Sequence, residues 1–317
     1  MIATCLAGLS SAARAGHSDS LILRSIPYLN DPVVTSDSTD CIIPFTRAGN
    51  LILVKARIDS VEGNFVLDTG APHLVLDMTY FRDYPATGSV PGGESGGITG
   101  SAGASSPTNV SSLVLGAIRY SRLQADRVHL GHIENSRGVK ILGLLGVQLF
   151  KRFELIIDYE NSRLYLHLIR RREAASYQSP QLKNPEDYHS FSINIQENKL
   201  LTNVHVGGKK LIFVIDTGAE ANVLDSRLPD RIFDHVAITR RVVLTGSGST
   251  RIEALYGDMT DMKMGQLSIR SLPVLVTNLE KLCFSYDRCI DGMLGFDFLS
   301  MQKIGFNFVK NKMYIWK

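Results

Sequence analysis

Two aspartates occupy matching places in this chain of 317 residues. Asp68 lies in Phe65-Val66-Leu67-Asp68-Thr69-Gly70-Ala71, and Asp216 lies in Phe213-Val214-Ile215-Asp216-Thr217-Gly218-Ala219, 148 residues later. In each copy an apolar run ends in an acid, a hydroxyl residue, a glycine and an alanine. Each then continues to a second apolar pair and another acid, Val75-Leu76-Asp77 and Val223-Leu224-Asp225. An acid at the end of an apolar strand is costly unless it is hydrogen-bonded or used. A single Asp-Thr-Gly is an ordinary turn, but two with the same flanks deliver a pair of matched carboxylates to one place.

What must position them is a duplicated domain, because the repeat extends far beyond the heptad. Ile98-Thr99-Gly100-Ser101-Ala102-Gly103 returns as Leu244-Thr245-Gly246-Ser247-Gly248-Ser249, 146 residues on. Gly143-Leu144-Leu145-Gly146 returns as Gly292-Met293-Leu294-Gly295, and Asp158 faces Asn307, both at a spacing of 149. Landmarks in one order predict two homologous lobes. Short runs of Val, Ile, Leu, Phe and Tyr, among them Leu51 to Ile58, Ser112 to Leu115 and Phe153 to Asp158, are separated by Gly, Asn, Asp or Ser and predict an all-β barrel or sandwich in each lobe. Helical signals are short, one or two turns at Thr79 to Arg82 and at Leu149 to Arg152, the latter repeated as Phe298 to Met301. Pro85 to Ser106, rich in Gly, Ser and Thr, reads as a mobile excursion.

Composition excludes several classes. With 44% hydrophobic residues the chain can bury real cores. A net charge of +3, from 34 basic and 31 acidic residues mixed along the sequence, points to no nucleic-acid partner. The run Arg170-Arg171-Arg172 reads as part of a solvated linker. No stretch approaches the roughly 20 apolar residues of a membrane span. Ala3 to Ala13 is small and apolar and ends in Ala13-Arg14-Ala15-Gly16, which reads as the remnant of a secretory signal or as a plain tail; a lipoprotein-like anchor at Cys5 fits less well, because Thr4 precedes the cysteine. Cys283 and Cys289 are placed to close a small disulfide loop suited to an oxidising compartment. Free buried thiols are the alternative, and the spacing matches no common zinc site. Cys41 has no evident partner.

The paired motifs resemble those of aspartic peptidases of the pepsin and retropepsin superfamily, over nearly all of residues 45 to 317. The specific elements are the two Asp-Thr-Gly-Ala motifs and the two apolar-Leu-Gly motifs, Leu144-Leu145-Gly146 and Met293-Leu294-Gly295. Ala71 and Ala219 are more similar to the retroviral type, whereas two lobes in one chain resemble pepsin; the nearest likeness is the tandem bacterial retropepsin-like group. The resemblance implies two six-to-eight-stranded acid-protease-like barrels in a pseudo-two-fold arrangement with few short helices. It further implies a monomer that is an intramolecular pseudo-dimer, binding an extended polypeptide and using no metal or cofactor. Asp68 and Asp216 would be the catalytic dyad, Thr69 and Thr217 would bond across the lobes, and Gly70 and Gly218 would let backbone approach the carboxylates. Thr99, Gly100 and Ser101, with Thr245, Gly246 and Ser247, fall where that family places its flaps, although neither stretch has an aromatic residue.

The divisions implied are 1–16 for a signal remnant, 17–44 for an N-terminal extension or pro-segment, 45–170 for the first lobe, 171–188 for a linker and 189–317 for the second lobe. Localisation is expected to be extracytoplasmic, periplasmic or secreted. His73, whose counterpart is Ala221, is expected to line the substrate or face the surface; Asp77 and Asp225 are expected to cap turns. Without a hydroxyl at Ala71 and Ala219 to favour the charged dyad, the expected pH optimum is less acidic than pepsin's, roughly 4.5 to 7 from the ordinary carboxyl range. The competing reading is a catalytically silent peptide-binding protein that keeps the fold, and a third is a pair of lobes that each dimerise with another chain.

Overall fold

Leu51–Ile58 (β1) and Val61–Leu67 (β2) show why strands form here: β-branched and aliphatic residues bury one face while Lys55 and Arg57 point to water. These strands belong to a computed structural model that describes residues 31–35, 39–87, 94–97, 100–245, 251–285 and 289–317. The first lobe continues with Val75–Asp77 (β3), Ser106–Leu115 (β4), Ile118–Val128 (β5) and Gly143–Leu145 (β6). β1 pairs antiparallel with β2, β2 parallel with β6, β6 antiparallel with β3, β3 parallel with β5, β5 antiparallel with β4, and β4 returns to β1. The six strands therefore close on themselves. Phe153–Asp158 (β7) and Arg163–Leu168 (β8) leave the ring.

The second lobe repeats the circuit. Lys199–Val206 (β9), Lys209–Ile215 (β10), Val223–Asp225 (β11), Arg251–Met264 (β12), Leu267–Thr277 (β13) and Gly292–Leu294 (β14) form the same ring with the same parallel and antiparallel pairings. Ile304–Asn307 (β15) and Lys312–Trp316 (β16) follow. The molecule is thus an all-β, two-lobed structure with few helices.

A third sheet of six strands joins the lobes, in the order Tyr188–Ser192, β16, β15, β7, β8, Asp40–Pro44. At its centre Leu155 faces Phe306, Ile156 faces Gly305 and Ile157 faces Ile304. Ile156 and Gly305 are 149 residues apart, the spacing of the repeat itself, so the pseudo-two-fold axis passes between them. A side chain at Gly305 would press on Ile156 and on the Trp316 ring, both within 3.2 Å of where its Cβ would stand. One continuous apolar core, from Phe65 and Phe150 to Phe213 and Phe306, runs through both lobes. Two smaller clusters match position for position: Leu53, Val66, Val75, Leu130 and Ile141 in the first lobe, and Leu201, Val214, Val223, Leu279 and Ile290 in the second.

Several local expectations change. Thr79 to Arg82 is a run of turns, with the amides of Tyr80 and Phe81 donating to Asp77 O, and does not continue as a helix. The turn expected at Leu149 is a 3₁₀ helix over Val147–Phe150, and its counterpart is an α-helix over Phe296–Leu299; both begin two residues early, directly after the glycines of the apolar-Leu-Gly motifs. Helices at Gly131–Arg137 and Glu280–Ser285 were not expected. Within the Gly-rich excursion, Glu94–Gly97 and Gly100–Ala104 form an antiparallel pair. The signal remnant of residues 1–16 and most of the 17–44 extension lie outside the described residues; its end supplies Val33–Val34 and Asp40–Pro44 as strands.

Candidate active site

The end of β2 and the end of β10 bring Asp68 and Asp216 to the boundary between the lobes. Each chain is held as it leaves its strand: Asp68 N donates to Leu145 O at 3.1 Å, and Asp216 N donates to Leu294 O at 3.0 Å. This is the physical work of the apolar-Leu-Gly motifs. Their glycines are forced by close approach, since a Cβ on Gly146 would stand 2.6 Å from Ala71 O and one on Gly295 would stand 2.6 Å from Ala219 O.

Across the boundary the two threonines bond reciprocally. Thr69 N donates to Thr217 Oγ1 at 3.0 Å and Thr217 N donates to Thr69 Oγ1 at 2.9 Å. Each hydroxyl in turn donates to the carbonyl before the opposite aspartate, Thr69 to Ile215 O and Thr217 to Leu67 O, both at 2.8 Å. All four bonds are buried, where they are strongest and where a missing partner costs most. Gly70 and Gly218 each face the opposite carboxylate; a Cβ on Gly218 would stand 2.6 Å from Asp68 Cγ, and one on Gly70 would collide with the carboxylate of Asp216.

The carboxylates are partly buried and not equivalent. Asp68 Oδ1 accepts from Gly70 N at 2.8 Å and Ala71 N at 3.1 Å, whereas Asp216 Oδ1 accepts from Gly218 N at 2.8 Å. Burial raises the pKa of Asp68 above the ordinary carboxyl range, opposed by a bond from Asp216 and those backbone donors. Burial also raises Asp216, and the adjacent negative charge of Asp68 adds to it, so Asp216 lies well above that range. The arrangement can hold one proton between two carboxyls at a pH where isolated aspartates are ionised.

Around this centre the remaining residues fall into place or away from it. Asp77 accepts from Thr79 N at 2.9 Å, and Asp225 accepts from Arg227 N at 3.1 Å and pairs with its guanidinium at 2.6 Å, so both cap turns. Asp158 and Asn307 do the same for Asn161 and Lys310. His73 is neither at the surface nor free to line a cleft: it is 2% exposed, with Nε2 2.9 Å from Asp126 Oδ2. Sequence reasoning missed Asp126 and also Asn222, which is fully buried and whose Oδ1 accepts from Gly295 N at 2.9 Å. It missed the lobe-bridging contacts of Glu220 as well; Asn50 Nδ2 donates to Glu220 O at 3.0 Å and Arg137 pairs with the Glu220 carboxylate.

Among the flap residues, Gly100 and Ser101 begin the strand Gly100–Ala104 and Thr245 ends the strand Val236–Thr245; Thr99, Gly246 and Ser247 lie outside the described residues. Cys283 and Cys289 are joined in a disulfide, and Cys41 is buried and, among the described residues, free. Two cavities, of about 280 and 490 Å³, lie beside the interlobe sheet and beside Trp316 and touch neither aspartate. Among the described residues no group of three or more His, Cys, Asp or Glu is arranged to hold a metal, and no helix is long and apolar enough to cross a membrane.

Residues 202–298 match the family described as aspartyl protease. A stretch of 116 residues, 36% of this chain, is 28% identical to the retrovirus-related Pol polyprotein from transposon 412 of Drosophila melanogaster, and spans 9% of that polyprotein's length. Among solved structures, basic 7S globulin from soybean overlays on 87% of this chain and 94% of its own at a TM-score of 0.48 and 12% identity.

Proposed function

We propose that this chain, a member of the aspartic protease superfamily, is an endopeptidase whose water nucleophile is activated between Asp68 and Asp216, one from each lobe. The observation that supports this most directly is the reciprocal threonine bonding, which holds the two carboxylate loops together across the lobe boundary. Two carboxylates so placed do not both ionise readily, and aspartic proteases are the type case of a pair sharing one proton. Asp68, with two backbone donors on one oxygen, is the ionised member, and Asp216 keeps the proton. The titration nonetheless belongs to the pair.

Asp68 removes a proton from the water as its oxygen attacks the peptide carbonyl carbon, and Asp216 donates its proton to the carbonyl oxygen. As the resulting gem-diol collapses, Asp68 passes its proton to the amide nitrogen, the C–N bond breaks, a hydroxyl of the diol returns a proton to Asp216, and a carboxyl and an amine are released. No step needs a covalent enzyme intermediate, a metal or a cofactor. The substrate is an extended polypeptide between the lobes, covered by the two hairpins that include Gly100–Ala104 and Val236–Thr245. A single chain supplies both carboxylates, so the active species is a monomer. The disulfide suits an oxidising, extracytoplasmic compartment.

The test is cleavage of a denatured protein and a random peptide library between pH 3 and 8 by the wild type, Asp68→Asn and Asp216→Asn. We expect a pH optimum of roughly 4.5 to 7 and a loss of at least about 10³-fold in each single variant, as removal of a positioned acid or base implies. Cleavage that survives either substitution, or peptide binding with no cleavage at any pH, overturns the reading.

A further inference from the structure

The loops that carry Asp68 and Asp216 are held from behind by different chemistry. In the second lobe the support is a neutral amide: Asn222 Oδ1 accepts from Gly295 N and its Nδ2 donates to Pro273 O, both at 2.9 Å. The equivalent residue in the first lobe is Leu74, which can do neither. The equivalence is fixed by the strand registers, in which Asp126 faces Val75 as Leu275 faces Val223, and by Asp126 N donating to Leu74 O as Leu275 N donates to Asn222 O.

The first lobe instead places His73 against Asp126, at 2.9 Å, where the second lobe has Ala221 and Leu275. The side chains of His73 and Asp126 are 3% and 9% exposed. Such a pair is expensive, because both groups must be stripped of water. Among the described residues His73 Nδ1 is also buried without a hydrogen-bond partner, a further cost. A fold indifferent to the pair would fill those places with apolar side chains, as the second lobe does; local rules are broken where a site requires it.

The segment that His73 ends is the one that must be held. Val147 N donates to Ala71 O at 3.0 Å and Gln148 N to Pro72 O at 3.1 Å, so residues 71 and 72 are fixed from one side. The backbone N of His73 would lie 2.6 Å from a Cβ on Gly146, leaving no room for the segment to shift toward that residue. The ring of His73, tied to β5 through Asp126, fixes the same segment from the other side.

We propose that the His73–Asp126 pair is the positioning device of the Asp68 loop, performing for the first carboxylate what the Asn222 amide performs for the second. This rests on the reading of Asp68 and Asp216 as the catalytic pair. Neither His73 nor Asp126 touches substrate; both act through Asp68.

The experiment uses the full chain in four forms: wild type, His73→Ala, Asp126→Asn, and a graft of the second lobe's support, His73→Ala with Leu74→Asn and Asp126→Leu. Peptide turnover and the ¹³C carboxyl resonance of Asp68 are both measured. For His73→Ala, kcat should fall about 10- to 100-fold with KM within about twofold, as expected of a displaced catalytic group, and the Asp68 resonance should move. Asp126→Asn, which still accepts from His73, should stay within about threefold of wild type, and the graft should recover most of kcat and return the resonance. Wild-type kcat and an unmoved resonance in His73→Ala overturn the proposal, as does a folded graft that recovers neither. Should the wild type cut nothing, the catalytic reading falls while the resonance, which needs no turnover, still decides whether the pair positions Asp68.

Discussion

The two lobes hold corresponding loops in place by unrelated means. Glu134 and Lys140 in the first lobe occupy the places of Cys283 and Cys289 in the second, each 149 residues apart. In the first lobe Glu134 Oε1 accepts from Ile141 N at 2.7 Å and from the Tyr80 hydroxyl at 2.8 Å, and Lys140 lies 4.0 Å over the Tyr80 ring. The second lobe replaces this network with a disulfide. The supports behind the aspartates differ likewise, His73–Asp126 against Asn222. The threonine bonds, by contrast, agree to within 0.1 Å on the two sides. Geometry next to the carboxylates is held common, while the means of supporting it are free to diverge.

That contrast can be broken at its symmetric part first. Thr69→Ala and Thr217→Ala each orphan a buried amide and a buried carbonyl, and each should cost about 2–4 kcal/mol, two unsatisfied groups at about 1–2 each. The two costs should agree in urea denaturation, and a threefold disparity would show that the near-identity of the bonds is not energetic. Thr→Ser at either place keeps the hydroxyl and should be mild.

The unequal supports come next. Loss of the disulfide in a Cys283→Ser, Cys289→Ser variant should cost about 2 kcal/mol, the chain-entropy figure for so short a loop. Glu134→Gln should cost about 1 kcal/mol, the net worth of a hydrogen bond to a charged group less what the amide retains. Only the wild type and Glu134→Gln should lose stability on adding a thiol reductant. A Cys283→Ser, Cys289→Ser variant that is still destabilised by the reductant contradicts this.

The carboxylates themselves differ in a way that pH exposes. Burial raises both pKa values in the folded state, and Asp216 rises further because Asp68 is beside it. The folded chain therefore binds more protons than the unfolded chain above the ordinary carboxyl pKa, and stability falls as pH rises through the interval up to the raised values. Asp216→Asn removes that penalty, so it should be more stable than wild type at pH 7 and no more stable at pH 3. Asp68→Asn should gain less. Equal gains in urea midpoint for the two variants would contradict the inequality between the carboxyls.

The smallest effect is expected at the lobe-bridging ion pair, which has no counterpart because Pro72 stands where Glu220 would be needed. Both partners are about one-third exposed, so Glu220→Gln should cost under about 1 kcal/mol, and less at high salt. A salt-independent loss would assign the effect to the bond that Asn50 N donates to the Glu220 carboxylate instead.

Sequence reasoning singled out Asp68 and Asp216 because both copies of Asp-Thr-Gly-Ala carry their strands with them, and it reached the disulfide because two cysteines six residues apart have few other uses. It reached the β architecture because the longer strands, such as β1 and β5, are wide enough to display their burial pattern. The residues alone left barrel and sandwich both open, because the pairings that close each ring depend on β3, β6, β11 and β14, each only three residues long and too short to show any period. The helix Gly131–Arg137 has no fully buried residue and no N-cap side chain, so it lacks the usual signals; its αL glycine at Gly138 was the available clue. His73 was misread for a different reason. Its partner is 53 residues away and is brought to it by a parallel pairing that leaves no local trace.

The pairing of β7 with β15 on the pseudo-two-fold axis also bears on association. A strand that ended either lobe alone would offer an open row of amides and carbonyls to any passing strand. Here the two rows face one another in self-complementary register about Ile156 and Gly305, so each lobe shields the exposed edge of the other. The outer margins of the same sheet are Asp40–Pro44, which closes on a charge and a proline, and the five-residue Tyr188–Ser192, which is short. Joining the lobes thus removes from the surface the very edge along which copies of this chain would most readily stick together.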